Sequence, residues 1–228
     1  MIPKDKNMNR SLIPISAVCV SVLILLALFR HGVASAATVI PDPTVNEALA
    51  AQTGHETLVI AGGCFWGIQA VFEHVKGVTR ATAGYSGGDV KNPEYEEVSS
   101  GRTGHAESVQ IDYDPSKITL GQLLKVFFSV AHDPTELNRQ GPDSGTQYRS
   151  AIFFANADQQ RIAQAYVDQL NQAKVFRSPI VTQIVAFKGF YPAEDYHQDF
   201  YKKNPTQYHQ YRNGSGREQF RKKYWNED

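Results

Sequence analysis

Residues 57–67 read Thr-Leu-Val-Ile-Ala-Gly-Gly-Cys-Phe-Trp-Gly, and this stretch decides how the surrounding chain folds. The run from Thr57 to Ala61 predicts a short buried strand, and the glycines after it mark a turn. A helix with one apolar face follows, which we expect Gly77 to end. Its apolar positions, spaced by three and four residues, are Ile68, Val71, Phe72 and Val75. The stretch therefore predicts a strand, a tight turn and a helix, with Cys64 in the first turn of that helix.

Strand-like and helix-like segments alternate through the rest of the chain. Residues 107–113 alternate in polarity, which predicts a half-buried strand. Thr119 and Gln122 match a capping box ahead of a second helix. Further strands are expected at residues 148–155 and 180–187, with a helix at about 157–174 that Asn156 caps. This alternation, with hairpin-like glycines between residues 84 and 88, predicts an α/β (α+β) fold. The expected architecture is a two-layer sandwich whose helices flank a central mixed β-sheet, with a long irregular C-terminal segment.

Composition and charge indicate a globular enzyme rather than a nucleic-acid-binding protein. The chain has 228 residues, of which 42% are hydrophobic and 20% charged. Residues 1–36 hold four of the 23 basic and one of the 23 acidic residues, so the remainder carries a net charge of −3. A nucleic-acid-binding domain is expected to be basic. We therefore expect no nucleic-acid partner.

The first 36 residues resemble an export signal. Three basic residues precede an apolar stretch from Ser11 to Phe29, and Ala34-Ser35-Ala36 offers a signal-peptidase site. An uncleaved anchor is the alternative, because about 19 apolar residues suffice to cross a bilayer. We expect the folded part to lie outside the cytosol, in the periplasm. It would contact a membrane only if this segment is uncleaved, as an inner-membrane anchor facing the periplasm.

Cysteine use points to thiol chemistry at Cys64. The chain has two cysteines, and Cys19 lies within the apolar N-terminal run. The mature domain would then hold a single cysteine, so no intramolecular disulfide could form. The dipole and unpaired N–H groups of a helix N-terminus stabilise a thiolate, and the flanking glycines Gly63 and Gly67 would let a substrate approach closely. The competing interpretation is a buried cysteine that acts as a small apolar side chain.

Other candidate residues carry weaker signals when taken alone. Phe65 and Trp66 could line a small apolar pocket beside the thiol or could simply pack in the core. Glu107 begins a strand near apolar residues, where a raised pKa would make it a proton donor, or it could be a solvated strand-end carboxylate. Tyr95 and other loop phenols could donate hydrogen bonds to a developing oxyanion. The histidines lack metal-ligand spacing, so we expect no metal site.

Several motifs together resemble the peptide methionine sulfoxide reductase A family. Gly-Cys-Phe-Trp-Gly at 63–67 is similar to its active-site motif, and the resemblance covers roughly residues 56–208. Similar segments occur at residues 84–88, 92–98, 101–107, 132–135, 145–150, 197–198 and 203–205. The resemblance implies a peptide-methionine (S)-S-oxide reductase, which acts on the S epimer of the sulfoxide.

The resemblance also implies roles for individual residues. Cys64 would be the nucleophile that attacks the sulfoxide sulfur, and Glu107 the acid that protonates its oxygen. Phe65 and Trp66 would hold the substrate's ε-methyl group. The remaining substrate-binding residues, by the same resemblance, would be Tyr95, Tyr148, Asp143 and Tyr208. The product is methionine and a cysteine sulfenic acid.

One departure from the family pattern concerns the second half of the reaction. Many relatives carry a second cysteine near the C-terminus, whereas His209 follows Tyr208 here and no cysteine lies beyond it. We therefore expect no cofactor other than an external thiol reductant, such as thioredoxin, glutaredoxin with glutathione, or a small thiol. The expected partners are oxidised proteins or free methionine sulfoxide, together with a thiol reductant protein, and the expected state is a monomer.

The predicted organisation has four parts. Residues 1–36 are a signal peptide or anchor, 37–56 a linker, 57–211 the methionine sulfoxide reductase A catalytic domain, and 212–228 a polar C-terminal tail.

Two other functions remain open. A one-cysteine peroxidase or thioltransferase would also pass through a sulfenic acid. Comparing the turnover of methyl sulfoxides with that of peroxides distinguishes this alternative from a sulfoxide reductase. An inactive module that binds oxidised methionine would show no single-turnover reduction.

Overall fold

The computed structural model describes residues 39–224, and residues 1–38 and 225–228 lie outside that part. The export segment expected at residues 1–36 falls outside it and stays a prediction. The strands are β1 (Glu56–Gly62), β2 (Val78–Ser86), β3 (Ala106–Tyr113), β4 (Arg139–Gln140), β5 (Asp143–Ser144), β6 (Ser150–Phe154), β7 (Gln183–Ala186) and β8 (Phe190–Pro192). The helices are α1 (Phe65–Phe72), α2 (Tyr95–Ser99), α3 (Leu120–Val126), α4 (Ala157–Gln172), α5 (Phe200–Lys203), α6 (Pro205–Gly214) and α7 (Arg217–Tyr224). A π-helical turn spans Phe127–Ala131 and a 3₁₀ turn spans Thr146–Tyr148.

Six strands form one mixed sheet in the order β7-β6-β1-β3-β2-β8. The β6–β7 pair is parallel, and the β1–β3, β1–β6, β2–β3 and β2–β8 pairs are antiparallel. Helix α1 packs on β1, β2 and β3, and helix α4 packs on β6 and β7. The predicted α/β fold with a central mixed sheet and flanking helices is confirmed.

The centre of the sheet is more buried than the sequence pattern predicted. Residues 107–113 were expected to form a half-buried strand, but seven of the eight residues of β3 are buried. The reason is that both faces of β3 are covered, since Val109 and Ile111 pack in the main core while Ala106, on the opposite face, packs in a second cluster with Phe153. Strand β2 was not predicted, since four of its six buried residues, Ala81 to Gly84, are small and give little hydrophobic signal.

Helix boundaries follow the capping residues closely. Thr119 and Gln122 form the predicted capping box at the start of α3, and Asn156 accepts a hydrogen bond from the backbone of Gln159 at 2.9 Å at the start of α4. Helix α1 ends at Phe72, earlier than expected, because the backbone tightens into turns before Gly77.

The two segments outside the predicted catalytic domain pack against it. In the expected linker, Ile40 is buried, and the carbonyl of Pro41 accepts a hydrogen bond from the Tyr166 hydroxyl at 2.8 Å. The expected polar tail contains the whole of α7, whose Arg217 and Phe220 are buried. Within residues 39–224, no helix is both long enough and apolar enough to cross a membrane.

Candidate active site

Cys64 stands at the turn between the central strand β1 and helix α1. Gly63 takes a positive φ of 84°, a conformation that L side chains rarely adopt, so glycine permits the sharp change of direction. Cys64 is the N-cap of α1 rather than part of its first turn, and 8% of its surface is exposed. The thiol is therefore fixed at the N-terminal end of a helix and nearly closed off from solvent.

The surroundings of Cys64 favour the thiol over the thiolate. Burial raises its pKa well above the ordinary value, and the nearby charge of Glu107 raises it further. The charge of Arg217 and the backbone N–H of Trp66 act in the opposite direction. The sequence pattern indicated that a helix N-terminus would stabilise the thiolate, and that effect is present but outweighed by burial.

Glu107 is held against the same turn from the neighbouring strand. It is the second residue of β3, it is 2% exposed, and its Oε2 accepts a hydrogen bond from the backbone N–H of Phe65 at 3.1 Å. Burial raises the pKa of Glu107 to about 8, although the Phe65 N–H favours the ionised form. At neutral pH this carboxyl group is therefore mostly protonated and can donate a proton beside Cys64.

Aromatic rings pack against Phe65 and Trp66, the first two residues of α1. The Phe65 ring lies 5.0 Å from the ring of His197. The Trp66 ring stacks on Phe200 at 3.6 Å, and its Nε1 donates a hydrogen bond to His197 Nδ1 at 3.1 Å. That bond leaves the proton of the neutral imidazole on Nε2, which is buried without a hydrogen-bond partner among residues 39–224. These rings form an apolar wall next to Cys64, with an unused donor within it.

Two of the predicted tyrosines lie near enough to the thiol and the carboxyl group for these groups to shift their pKa values. Burial raises the pKa of Tyr95 to about 12, with further contributions from the charges of Glu107 and Cys64. The pKa of Tyr148 is raised by burial and by the charge of Glu107 as well. Both phenols therefore keep their protons at neutral pH and can donate hydrogen bonds. Tyr95 is fixed by Glu194, whose carboxylate accepts a hydrogen bond from its backbone N–H at 2.8 Å.

Asp143 reaches the site from the short strand β5, and its partner comes from the C-terminal helices. The Tyr211 hydroxyl donates a hydrogen bond to Asp143 Oδ2 at 2.6 Å and accepts one from Arg217 Nη1 at 2.7 Å. The Tyr211 ring meets Trp66 edge to face, with the centroids 5.9 Å apart. Helices α6 and α7 therefore contribute side chains to this region.

Tyr208 is on α6 as well, but it packs in a separate cluster. It is buried with Ala70 and Phe200 and lies 5.9 Å from the Tyr201 ring. Its hydroxyl has no hydrogen-bond partner in the described part of the chain. Trp66 packs against the same cluster, so Tyr208 belongs to the packing that supports the Trp66 ring. Its role in substrate binding stays a prediction.

The glycines on either side of Cys64-Phe65-Trp66 make room for protein rather than for a substrate. A Cβ atom on Gly63 would collide with the Gln140 side chain and would lie 2.7 Å from Arg217 Nη2, and one on Gly67 would lie 2.9 Å from Arg217 Nε. Such distances are too short for a real side chain. The expectation that these glycines let a substrate approach is therefore replaced by close packing on Arg217, and at Gly63 on Gln140 as well.

Four residues of this region were missed by sequence reasoning as site residues. Two of them, Glu194 and His197, lie between the last predicted strand and the end of the expected catalytic domain. The other two, Tyr211 and Arg217, lie at the edge of that domain and beyond it. A buried role for Arg217 has no local signal, because one arginine in a basic helix resembles its exposed neighbours. In the described residues, no group of three or more histidine, cysteine, aspartate or glutamate side chains is placed to hold a metal ion.

Comparison with known proteins identifies the family. The model of the family described as peptide methionine sulfoxide reductase matches residues 56–228. A peptide methionine sulfoxide reductase MsrA 2 from Mesorhizobium japonicum is 64% identical over 156 residues, covering 68% of this chain and 80% of the relative. A second MsrA 2, from Synechocystis, is 54% identical over 170 residues, covering 74% of this chain and 79% of the relative.

Solved structures agree with the sequence relatives. Methionine sulfoxide reductase A of Corynebacterium diphtheriae is similar with a TM-score of 0.59 at 38% identity, over 75% of this chain and 85% of that one. The reduced form of Mxr1 from Saccharomyces cerevisiae gives a TM-score of 0.61 at 33% identity, over 70% of this chain and 94% of that one. The chain therefore belongs to the peptide methionine sulfoxide reductase A family of enzymes.

Proposed function

We propose that this enzyme reduces methionine S-sulfoxide, free or within proteins, with Cys64 as nucleophile and Glu107 as proton donor. The observation that carries the proposal is the position of Glu107, a buried carboxyl group hydrogen-bonded to the residue after Cys64. A sulfoxide oxygen leaves sulfur only when it is protonated, so a thiol needs an acid beside it. Glu107, whose pKa is raised to about 8, supplies that acid at neutral pH.

The first half of the reaction transfers one oxygen atom. As the Cys64 sulfur attacks the sulfoxide sulfur, Glu107 protonates the sulfoxide oxygen and then recovers a proton from the thiol. The bond that the attack forms between the two sulfur atoms breaks again as the oxygen is transferred, so that the S–O bond of the substrate is lost and a new S–O bond forms at Cys64. The products are methionine and a Cys64 sulfenic acid, so the cysteine is oxidised by two electrons and the substrate reduced by two.

The neighbouring side chains suit this substrate. We assign the apolar wall of Phe65 and Trp66 to the methyl group of the substrate. The hydroxyl groups of Tyr95 and Tyr148, both protonated at neutral pH, would hold the oxygen while negative charge develops on it. Asp143 assists through its hydrogen bond with Tyr211.

The second half of the reaction requires a thiol from outside the domain. Cys64 is the one cysteine in residues 39–224, and His209 stands where many relatives carry a second. Two external thiols would reduce the sulfenic acid to a thiol, releasing water and forming a disulfide between themselves. A thioredoxin, a glutaredoxin with glutathione, or a small thiol fits this requirement, and a steady-state assay with the three in parallel identifies the reductant.

The experiment that tests the proposal follows the sulfur of Cys64. Reduced protein is mixed with methionine S-sulfoxide without reductant, and the protein is analysed by intact mass and by trapping with dimedone. We expect one methionine per chain and one oxygen atom on Cys64, and neither with Cys64→Ser. A methionine yield that survives Cys64→Ser would overturn the assignment of the nucleophile. Reduction of hydrogen peroxide in preference to methyl sulfoxides would favour the peroxidase alternative.

We also propose that the enzyme repairs proteins outside the cytosol, because residues 1–36 have the pattern of an export signal. Cell fractionation with N-terminal sequencing of the mature protein separates a cleaved, periplasmic form from a membrane-anchored one. Recovery in the cytosol with an intact N-terminus would contradict this part of the proposal. The monomeric state stays a prediction, which light scattering of the purified protein tests.

A further inference from the structure

Arg217 lies beneath the turn that carries Cys64, although 153 residues separate the two in the chain. It is the first residue of α7 and is 3% exposed. Its Nη2 donates hydrogen bonds to the carbonyl oxygens of Gly62 at 2.8 Å and of Cys64 at 3.3 Å. Its Nε donates to the carbonyl oxygen of Ala131 at 2.9 Å. One guanidinium group therefore ties the end of β1, the start of α1 and the π-helical turn together.

The packing around Arg217 shows that the turn is shaped to accept it. Gly63 and Gly67 both lie so close to the guanidinium group that a Cβ atom at either position would collide with it. The planar fork of an arginine can bind several carbonyl groups at once, which a lysine ammonium group on a flexible stem cannot reproduce. The two glycines of the Gly-Cys-Phe-Trp-Gly motif and Arg217 therefore form one structural unit.

Arg217 is a buried cation, and none of its hydrogen-bond partners is a carboxylate. Its four hydrogen-bond partners are three carbonyl oxygens and the hydroxyl of Tyr211, and it forms no salt bridge in the part of the chain that the structure describes. A buried cation without a paired anion is costly, so a negative charge that forms nearby is favoured. The titratable groups that bear on Cys64 are Glu107 from β3, Asp143 from β5, Arg217 from α7, and the tyrosines Tyr95, Tyr148, Tyr208 and Tyr211. Arg217 is the cation in that set.

We propose that Arg217 is a positioning residue for Cys64, which fixes the turn through three carbonyl groups and provides the buried positive charge that stabilises the Cys64 thiolate. The inference rests on the proposed role of Cys64 as nucleophile. Arg217 acts through Cys64 and need not touch the substrate. The pKa of Cys64 is raised by burial and by Glu107, and Arg217 limits that rise.

The test measures the thiol and the reaction separately in the full-length protein. Variants Arg217→Met and Arg217→Gln remove the charge, and Arg217→Lys keeps the charge but loses the fork. Lys222→Met, on the exposed side of the same helix, is the matched control. The rate of alkylation by iodoacetamide is followed against pH, with the Cys64 peptide quantified by mass spectrometry so that Cys19 does not contribute. The single-turnover rate of methionine formation is measured on the same samples, with thermal unfolding as the check on folding.

The neutral variants should raise the apparent pKa of Cys64 by about one unit or more, so that alkylation at pH 7 slows by about tenfold. Lys222→Met should leave it unchanged. Arg217→Lys should keep the thiol pKa near that of the wild type but slow single turnover by about tenfold, because the turn is no longer fixed. A folded neutral variant with the wild-type thiol pKa would overturn the electrostatic role.

Arg217→Lys tests the positioning role even if neither neutral variant folds. A wild-type single-turnover rate in Arg217→Lys would overturn that role. The alkylation profile does not depend on reductase activity. A wild-type protein that forms no methionine would therefore refute the proposed function while leaving the test of Arg217 intact.

Discussion

Glu107 Oε2 accepts a hydrogen bond from the backbone N–H of Phe65 at 3.1 Å, so the buried acid from β3 is fixed to the residue that follows the thiol of Cys64. The contact joins two neighbouring strands, because the turn with Cys64 follows β1, and Glu107 lies on β3, which pairs with β1. The proposed proton donor and the proposed nucleophile are thereby held together at the end of β1.

Glu107→Gln tests the proton donor. The glutamine can keep an acceptor for the Phe65 N–H but has no acidic proton, so we expect native folding and a single-turnover rate lower by about 10²–10⁴-fold. Single-turnover formation of methionine with the S epimer is the measurement. Glu96→Gln, an exposed substitution on α2, is the control and should react at the wild-type rate. A wild-type rate in Glu107→Gln would exclude Glu107 as the acid.

The pH dependence of the reaction follows from the same carboxyl group. Because the pKa of Glu107 is raised to about 8, the proton needed by the sulfoxide oxygen is lost as the pH rises through that value. We expect the single-turnover rate of the wild type to fall above pH 8, and this fall to be absent from the residual rate of Glu107→Gln. Superimposable pH profiles for the two proteins would contradict the prediction.

The raised pKa also makes stability depend on pH in a defined direction. Between the ordinary value of 4.5 and about 8, the folded protein retains a proton on Glu107 that the unfolded chain releases. The free energy of unfolding should therefore fall as pH rises through this window, by about 1.4 kcal/mol per pH unit at most. Glu107→Gln should match the wild type most closely at pH 5 and exceed its melting temperature at pH 8. A stability difference that is the same at both pH values would show that the carboxyl group is not held protonated.

Tyr211 is predicted to stabilise the C-terminal helices against the site. Its hydroxyl joins Asp143 and Arg217, so Tyr211→Phe leaves the buried Arg217 and the partly buried Asp143 each short of a partner. We expect a loss of about 1–3 kcal/mol in the free energy of unfolding, measured by chemical denaturation. The matched control is Tyr208→Phe, three residues earlier on α6, whose hydroxyl makes no hydrogen bond in the described residues. Equal losses in the two variants would contradict the assigned role of the Tyr211 hydroxyl.

The local parts of the fold were predictable from sequence because their causes are local. The strand, turn and helix around Cys64 follow from apolar spacing and paired glycines, and the starts of α3 and α4 follow from the caps Thr119 and Asn156. Strand β2 was missed because its burial comes from its neighbours in the sheet and not from its own small residues. The mixed sheet was predicted, but its strand order depends on long-range pairing that no local pattern carries.

The candidate site likewise contains residues that the sequence predicts and residues that only the folded structure shows. The resemblance placed Cys64, Phe65, Trp66 and Glu107 in one site, and the structure brings them together. Arg217 could not be found this way, because its burial depends on a turn 153 residues earlier in the chain. The reason for Gly63 and Gly67 was likewise hidden, since the side chains that exclude a Cβ atom there, Gln140 and Arg217, come from β4 and α7.

The most direct test of the central claim offers the reduced protein each epimer of methionine sulfoxide in turn, without a reductant. The account predicts one methionine per chain from the S epimer, none from the R epimer, and resumed turnover when an external thiol is added. Reduction of the R epimer with the S epimer left unchanged would contradict it.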